Sequence, residues 1–169
     1  VPGDHYTVLL DPTFTEEEVQ SALTGVDDLT GKIPELSLPI ALSACVGTHP
    51  GVICVHRGMR PDIAAQDPYK VGYTETYKGV GGRGDTGGVL GTDGGEVWIG
   101  VAMVAELLPE YPLALPHAFE HELGHALGLK HHVGAMMNAD YKGASMTATC
   151  DDVAQYYYVR YQVAPTCKE

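Results

Sequence analysis

The residues best equipped for chemistry lie in one stretch, His121-Glu122-Leu123-Gly124-His125-Ala126-Leu127-Gly128-Leu129-Lys130-His131. In a helix, positions 121 and 125 are one turn apart and project from the same face, so both imidazoles can reach one metal ion. Glu122 sits beside that face, where a carboxylate can act on a metal-activated water without being a ligand. Gly128 tolerates the positive φ of a sharp turn, and such a turn brings His131 round as a third nitrogen donor. His132 is the competing donor, although the spacing favours His131. A His-x-x-x-His pair alone is common; five fixed positions together are not. Three protein ligands leave a fourth zinc position open, which is the pattern of a catalytic site and not of a structural one. The expected cofactor is Zn2+.

Around this stretch the chain must supply a scaffold. Tyr6-Thr7-Val8-Leu9-Leu10 reads as a strand stopped by Asp11-Pro12. Thr15 and Glu18 have capping-box spacing, and Val19, Ala22, Leu23, Val26 and Leu29 give an amphipathic helix ending near Thr30-Gly31. Further strands are expected over 36–42, 51–55, 69–77 and 96–101. Pro116 fits the first turn of the helix that carries His121 and continues to about Gly128. Thr149 caps a last helix through Asp152, Val153 and Tyr156 to Val159. Tyr156-Tyr157-Tyr158 and Tyr161 read as part of that helix's docking face, with hydroxyls reaching solvent. The glycine-rich stretch from Gly79 to Gly95 reads as a solvated loop. It contains Asp85 and Asp93, so Ca2+ is a second candidate cofactor, although the spacing is not that of an EF-hand. His5, His49, His56 and His117 have no comparable ligand spacing and read as surface or hydrogen-bonded residues.

With 169 residues the chain is most simply one domain, large enough to fold around its own core. Ten Lys and Arg against 22 Asp and Glu give a formal charge of −12. That charge repels phosphate backbones and anionic lipid, so neither nucleic acid nor a membrane is an expected partner. No apolar run approaches the ~20 residues of a membrane-spanning helix. The sequence starts at Val1-Pro2-Gly3 without an initiator Met or a leader, as a processed or trimmed chain would. Four cysteines suit two disulfides, with Cys45–Cys54 and Cys150–Cys167 favoured because each closes a short loop, and buried free thiols as the alternative. Together these features favour a secreted or extracellular protein.

The motif His121-Glu122-x-x-His125-x-x-Gly128-x-x-His131 resembles that of the metzincin clan of zinc metalloendopeptidases. Ala135-Met136-Met137-Asn138 lies where that clan has its methionine turn, with Met137 the first choice for the turn residue and Met136 its rival. The nearest subfamily likeness is to the matrixins, because Tyr141 follows Met137 at the spacing of their turn and substrate pocket. His132 and Ala139 depart from the matrixin pattern, and the stretch from His131 to the methionine is two residues shorter. The resemblance is loose over most of the chain and specific over 117–141.

It implies an α+β, zincin-like fold: a twisted five-stranded mixed sheet with two long helices, and a small C-terminal helical subdomain. The whole would be one catalytic domain, with an upper part of about 1–131 and a lower part of about 132–169. It also implies an extended peptide or protein substrate paired with an edge strand, for which 71–77 is the candidate and 86–95 the alternative. Zinc would polarise the scissile carbonyl and Glu122 would be the general base. A monomer is expected. No cysteine-switch segment lies in the chain, so any latency device is expected outside it. The rival readings are a catalytically silent zinc-bearing peptide-binding or toxin module, and hydrolysis of a non-peptide amide.

Overall fold

The computed structural model describes residues 5–45, 49–76 and 94–163. Five strands and five helices are seen among the described residues: β1 Thr7–Leu10, α1 Glu16–Lys32, β2 Ile40–Leu42, β3 Val52–Arg57, α2 Pro61–Gln66, β4 Gly72–Thr76, β5 Gly95–Ile99, α3 Val101–Leu107, α4 Ala114–Ala126 and α5 Cys150–Tyr161. The sheet order is β2-β1-β3-β5-β4. β1 pairs in parallel with β2 and β3, β3 pairs in parallel with β5, and β4 runs antiparallel to β5. The class is therefore α+β with a mixed sheet, as expected, and among the described residues β4 is an edge strand. No helix among the described residues is long and apolar enough to cross a membrane.

Local sequence signals account for most of these elements. Thr15 caps α1 by accepting from the Glu18 amide at 3.2 Å, while the Glu18 carboxylate accepts from the Thr15 amide at 2.8 Å. Three glutamates in the first turn suit the positive end of the helix dipole. The same box recurs at α5 between Thr149 and Asp152. β2 is shorter than the 36–42 expected, because Pro39 lacks an N–H and interrupts the ladder. The residues before it still run beside β1, with Tyr6 N donating to Ser37 O and Val8 N to Pro39 O. Two short helices were not anticipated. α2 starts with Pro61 in its first turn, and α3 begins at Val101, where the sequence had suggested the end of a strand.

The core lies between one face of the sheet and helices α1 and α4. Val8, Leu10, Ile53, Val55, Val97 and Ile99 meet Val26, Leu29, Phe119 and Leu123 there, all buried. α1 approaches α4 closely through Gly25, where a Cβ would come within 3.1 Å of Pro116 O and 3.2 Å of Glu120 Cβ. On the opposite sheet face Arg60 lies 5.2 Å from the ring centres of both Tyr73 and Trp98. It also pairs with Glu75 at 2.8 Å, so side chains as well as main chain tie β4 to β5. Cys45 and Cys54 lie at disulfide distance, Cα–Cα 5.7 Å. The Cys150–Cys167 pairing involves Cys167, which is outside the described residues, and so is most of the Gly79–Gly95 calcium candidate.

A buried polar cluster joins the two long helices. Asp28 Oδ2 and Glu120 Oε2 both accept from the Ala148 amide, at 2.8 and 3.2 Å, and Lys32 Nζ pairs with Asp28 at 2.8 Å. Burial, then the hydrogen bond with Asp28, pushes the Glu120 carboxyl up to about 10. Burial works to raise Asp28 too, but the hydrogen bond from Glu120 and the contact with Lys32 hold it below its ordinary value. Glu120 is thus protonated in the folded chain and ionised in the unfolded one at neutral pH. Its contribution to stability is complete below the unfolded pKa of about 4.5 and is lost as pH rises toward the folded value. Glu120→Gln keeps a donor toward Asp28 without that dependence. It should melt higher than the parent at pH 8.5, by a gain on the order of 1–3 kcal/mol, and show a flatter melting profile between pH 5 and 9. Reduction of the Cys45–Cys54 pair, followed by the melting temperature with and without dithiothreitol, should remove about 2–3 kcal/mol.

Candidate metal centre

α4 is enclosed on nearly every side, with His117 through Ala126 all buried. A helix in that position fixes its side chains by packing, and His121 and His125 emerge from it one turn apart. Gly128 takes φ 100° just beyond the helix end, and Leu129 N donates back to Gly124 O at 2.9 Å. The chain therefore reverses and carries His131 toward the helix. His131 Nε2 lies 3.3 Å from His121 Nε2 and 3.0 Å from His125 Nε2. Among the described residues these three form the group that could hold a metal ion.

The hydrogen bonds on the far side of two rings decide what the near side offers. His121 Nδ1 faces Met136 O at 3.1 Å, and His125 Nδ1 faces Leu129 O at 2.8 Å. A carbonyl only accepts, so each Nδ1 carries the proton and each Nε2 presents a lone pair. Burial, then the His121 ring, holds His125 well below the ordinary imidazole range, and so neutral. If His131 also presents a lone pair, three such nitrogens this close are an arrangement that a cation between them stabilises. Two Zn–N bonds of about 2.0–2.1 Å at a tetrahedral angle put their nitrogens roughly 3.3–3.4 Å apart, close to the spacing found. The donor set fits zinc. His131 is exposed, so one side of the group faces solvent.

His132 points elsewhere. Its Nδ1 lies 3.2 Å from Lys130 O and its Nε2 3.2 Å from Asp152 Oδ1. The geometry thus separates the two adjacent histidines that the sequence left in competition. Asp152, 1% exposed, accepts from Met136 N, Met137 N, Thr149 N and Thr149 Oγ1 at 2.9, 3.2, 2.7 and 2.9 Å. Met136 and Met137 are both fully buried. Met136 supplies the carbonyl to His121, while the Met137 sulfur packs on Gly124, where a Cβ would meet it at 2.6 Å.

Glu122 is buried on the side of α4 that meets β4. Thr74 Oγ1 donates to Glu122 Oε1 at 2.6 Å, and Glu122 Oε2 lies 4.0 Å from His121 Nε2. Burial raises this carboxyl, against the pull of His121 and the Thr74 hydrogen bond. A cleft of about 550 Å³ opens beside it, lined among others by Lys70, Gly72, His117, His121, Glu122 and Tyr141. The Tyr141 hydroxyl donates to Ala114 O at 3.1 Å, and its ring meets His117 edge-on at 5.0 Å.

The structure therefore brings together His121, His125, His131 and Glu122, packs the Met137 side chain on Gly124 of the same helix and sets Tyr141 in the cleft wall. Local spacing pointed to no role for His117, which lines the cleft, or for Thr74, which holds Glu122. His117 is 3% exposed, and burial followed by the His121 ring lowers it to about 4. Its position one turn before His121 was the signal that could have found it. Thr74 lies within the expected strand over 69–77, and no local pattern ties it to Glu122. No protein-family model matches the chain, and no curated protein matches it.

Zinc-loaded, dialysed protein should carry one zinc per chain by metal analysis. His131→Ala should lose most of it and His132→Ala should keep it. Since imidazoles bind metals only when neutral, zinc should be released as pH falls well below ~6.

Proposed function

We propose that the protein is a secreted zinc-dependent endopeptidase of metzincin type with a zincin-like fold. The observation that carries this reading is the Glu122 carboxylate beside three converging imidazole nitrogens, with one oxygen held by Thr74 and the other on the metal side. A site that only stores a metal has no use for a buried carboxylate there, because burying one costs free energy. The Cys45–Cys54 pair at disulfide distance agrees with an oxidising compartment.

His121, His125 and His131 would hold the zinc, and Met137 would underlie it. Zinc, when bound, supplies Lewis-acid polarisation of the substrate carbonyl and makes water acidic enough to attack near neutral pH. The remaining work falls to the chain. Glu122 Oε2 takes the proton of the attacking water and passes it to the leaving amine nitrogen. Burial lifts its pKa toward the working pH, which suits a group that must both accept and give. β4, at the sheet edge among the described residues, would take the peptide as an added strand, and the cleft by His117 and Tyr141 would receive a substrate side chain. A monomer suffices, since every group named comes from one chain.

Glu122→Ala should retain zinc and melt close to the parent while losing at least ~10²–10⁴ of peptide turnover. The assay is cleavage of a denatured proteome digest with products mapped by mass spectrometry. Equal cleavage by parent and variant would remove Glu122 as the base. A zinc-bearing parent that cleaves nothing would point to the silent binding module.

A further inference from the structure

The edge strand that would receive the peptide also grips the proposed base. In an antiparallel pair, residues alternate between those that exchange both main-chain bonds with the partner strand and those that turn them away. Gly100 N donates to Val71 O at 2.9 Å, and the register pairs Tyr73 with Trp98 and Glu75 with Glu96. Residues 71, 73 and 75 therefore bond to β5, and Gly72, Thr74 and Thr76 direct their main-chain groups toward the open edge. The side chains of Thr74 and Thr76 lie on the buried face, and Gly72 is buried on the same face.

Thr74 thus has two roles available at once. Its main chain faces the open edge, while its hydroxyl, 3% exposed with its residue, donates to Glu122 Oε1 at 2.6 Å and approaches Glu122 O at 3.2 Å. Gly72 completes the fit, because a Cβ there would lie 2.5 Å from Glu122 Oε2. Resting on the peptidase reading, we propose that Thr74 is a positioning residue: it fixes Glu122 through Oε1, turns Oε2 toward the metal side, and aligns the base with a peptide paired to its own strand. Gly72 keeps the space that this carboxylate orientation needs.

The experiment compares parent, Thr74→Val, Thr74→Ser and Gly72→Ala, each zinc-loaded for steady-state kinetics and each crystallised without metal. Valine keeps the shape and removes the hydroxyl. The expected result is a kcat about 10-fold lower in Thr74→Val with KM within about twofold, restored by Thr74→Ser, at unchanged zinc content. Gly72→Ala should lower kcat similarly through a displaced carboxylate, which tests the same geometry if the valine variant folds poorly. In the metal-free crystals, Glu122 Oε2 should leave the His121 side in Thr74→Val and Gly72→Ala and keep it in Thr74→Ser. An unmoved Glu122 in Thr74→Val, or full kcat in that variant, overturns the proposal. If the parent cleaves no peptide, the peptidase reading fails by itself, and the crystals still decide whether Thr74 holds Glu122.

Discussion

The side chain of Asp152 ties together segments that have no other reason to meet. It closes the capping box of α5 through Thr149 and accepts the main-chain amides of Met136 and Met137. Those amides are buried and would otherwise lack partners, at a cost of about 1–3 kcal/mol each. With the turn held in this way, the Met136 carbonyl stands 3.1 Å from His121 Nδ1 and sets which nitrogen of that ring faces its neighbours. A helix cap at one end of the chain segment therefore dictates the tautomer of a side chain on another helix. The same carboxyl group keeps His132 turned away from the three-histidine group.

Close approach is the second requirement. α4 fits between sheet, α1 and turn because small residues lie at its contacts: Gly25 on α1, and Gly124 under the Met137 sulfur. Two carboxyl groups trapped by such packing have polar partners. Glu120 shares the Ala148 amide with Asp28, and Glu122 takes the Thr74 hydroxyl. These pairs stand on opposite sides of one helix, one facing α1 and one facing β4. The histidines lie on the surface between them, so the ring positions inherit the rigidity of both flanks.

What the sequence disclosed and what it concealed follow from range. The Thr15–Glu18 capping box and the Thr149 cap were readable because each acts within three residues, and the His121/His125/Gly128/His131 spacing was readable because helix and turn geometry carry it directly. The edge position of 72–76 and the mixed sheet agreed with expectation as well. Thr74 and Glu122 are 48 residues apart, and Asp28 and Ala148 are 120 apart. Pairings at that distance arise from topology, and no local period encodes them. Short helices were missed for a different reason. α2, with six residues, and α3, with seven, hold too few turns for a 3.6-residue pattern to stand out from a loop.

The three histidines are unequally enclosed, and this asymmetry concerns rates rather than affinities. His121 and His125 are locked in a packed helix, while His131 lies exposed on the chain that follows Gly128. An ion bound by all three leaves in steps, and the first step is the one that a surface segment can make without disturbing the core. Opening at His131 is then the gateway for exchange, and a chelator gains its foothold from that side. At equilibrium an ion would be held by all three nitrogens together, whereas the exposed one would set where exchange begins. The folded chain could then take up an ion, because the entry route would need one exposed segment to move and would leave the helix intact.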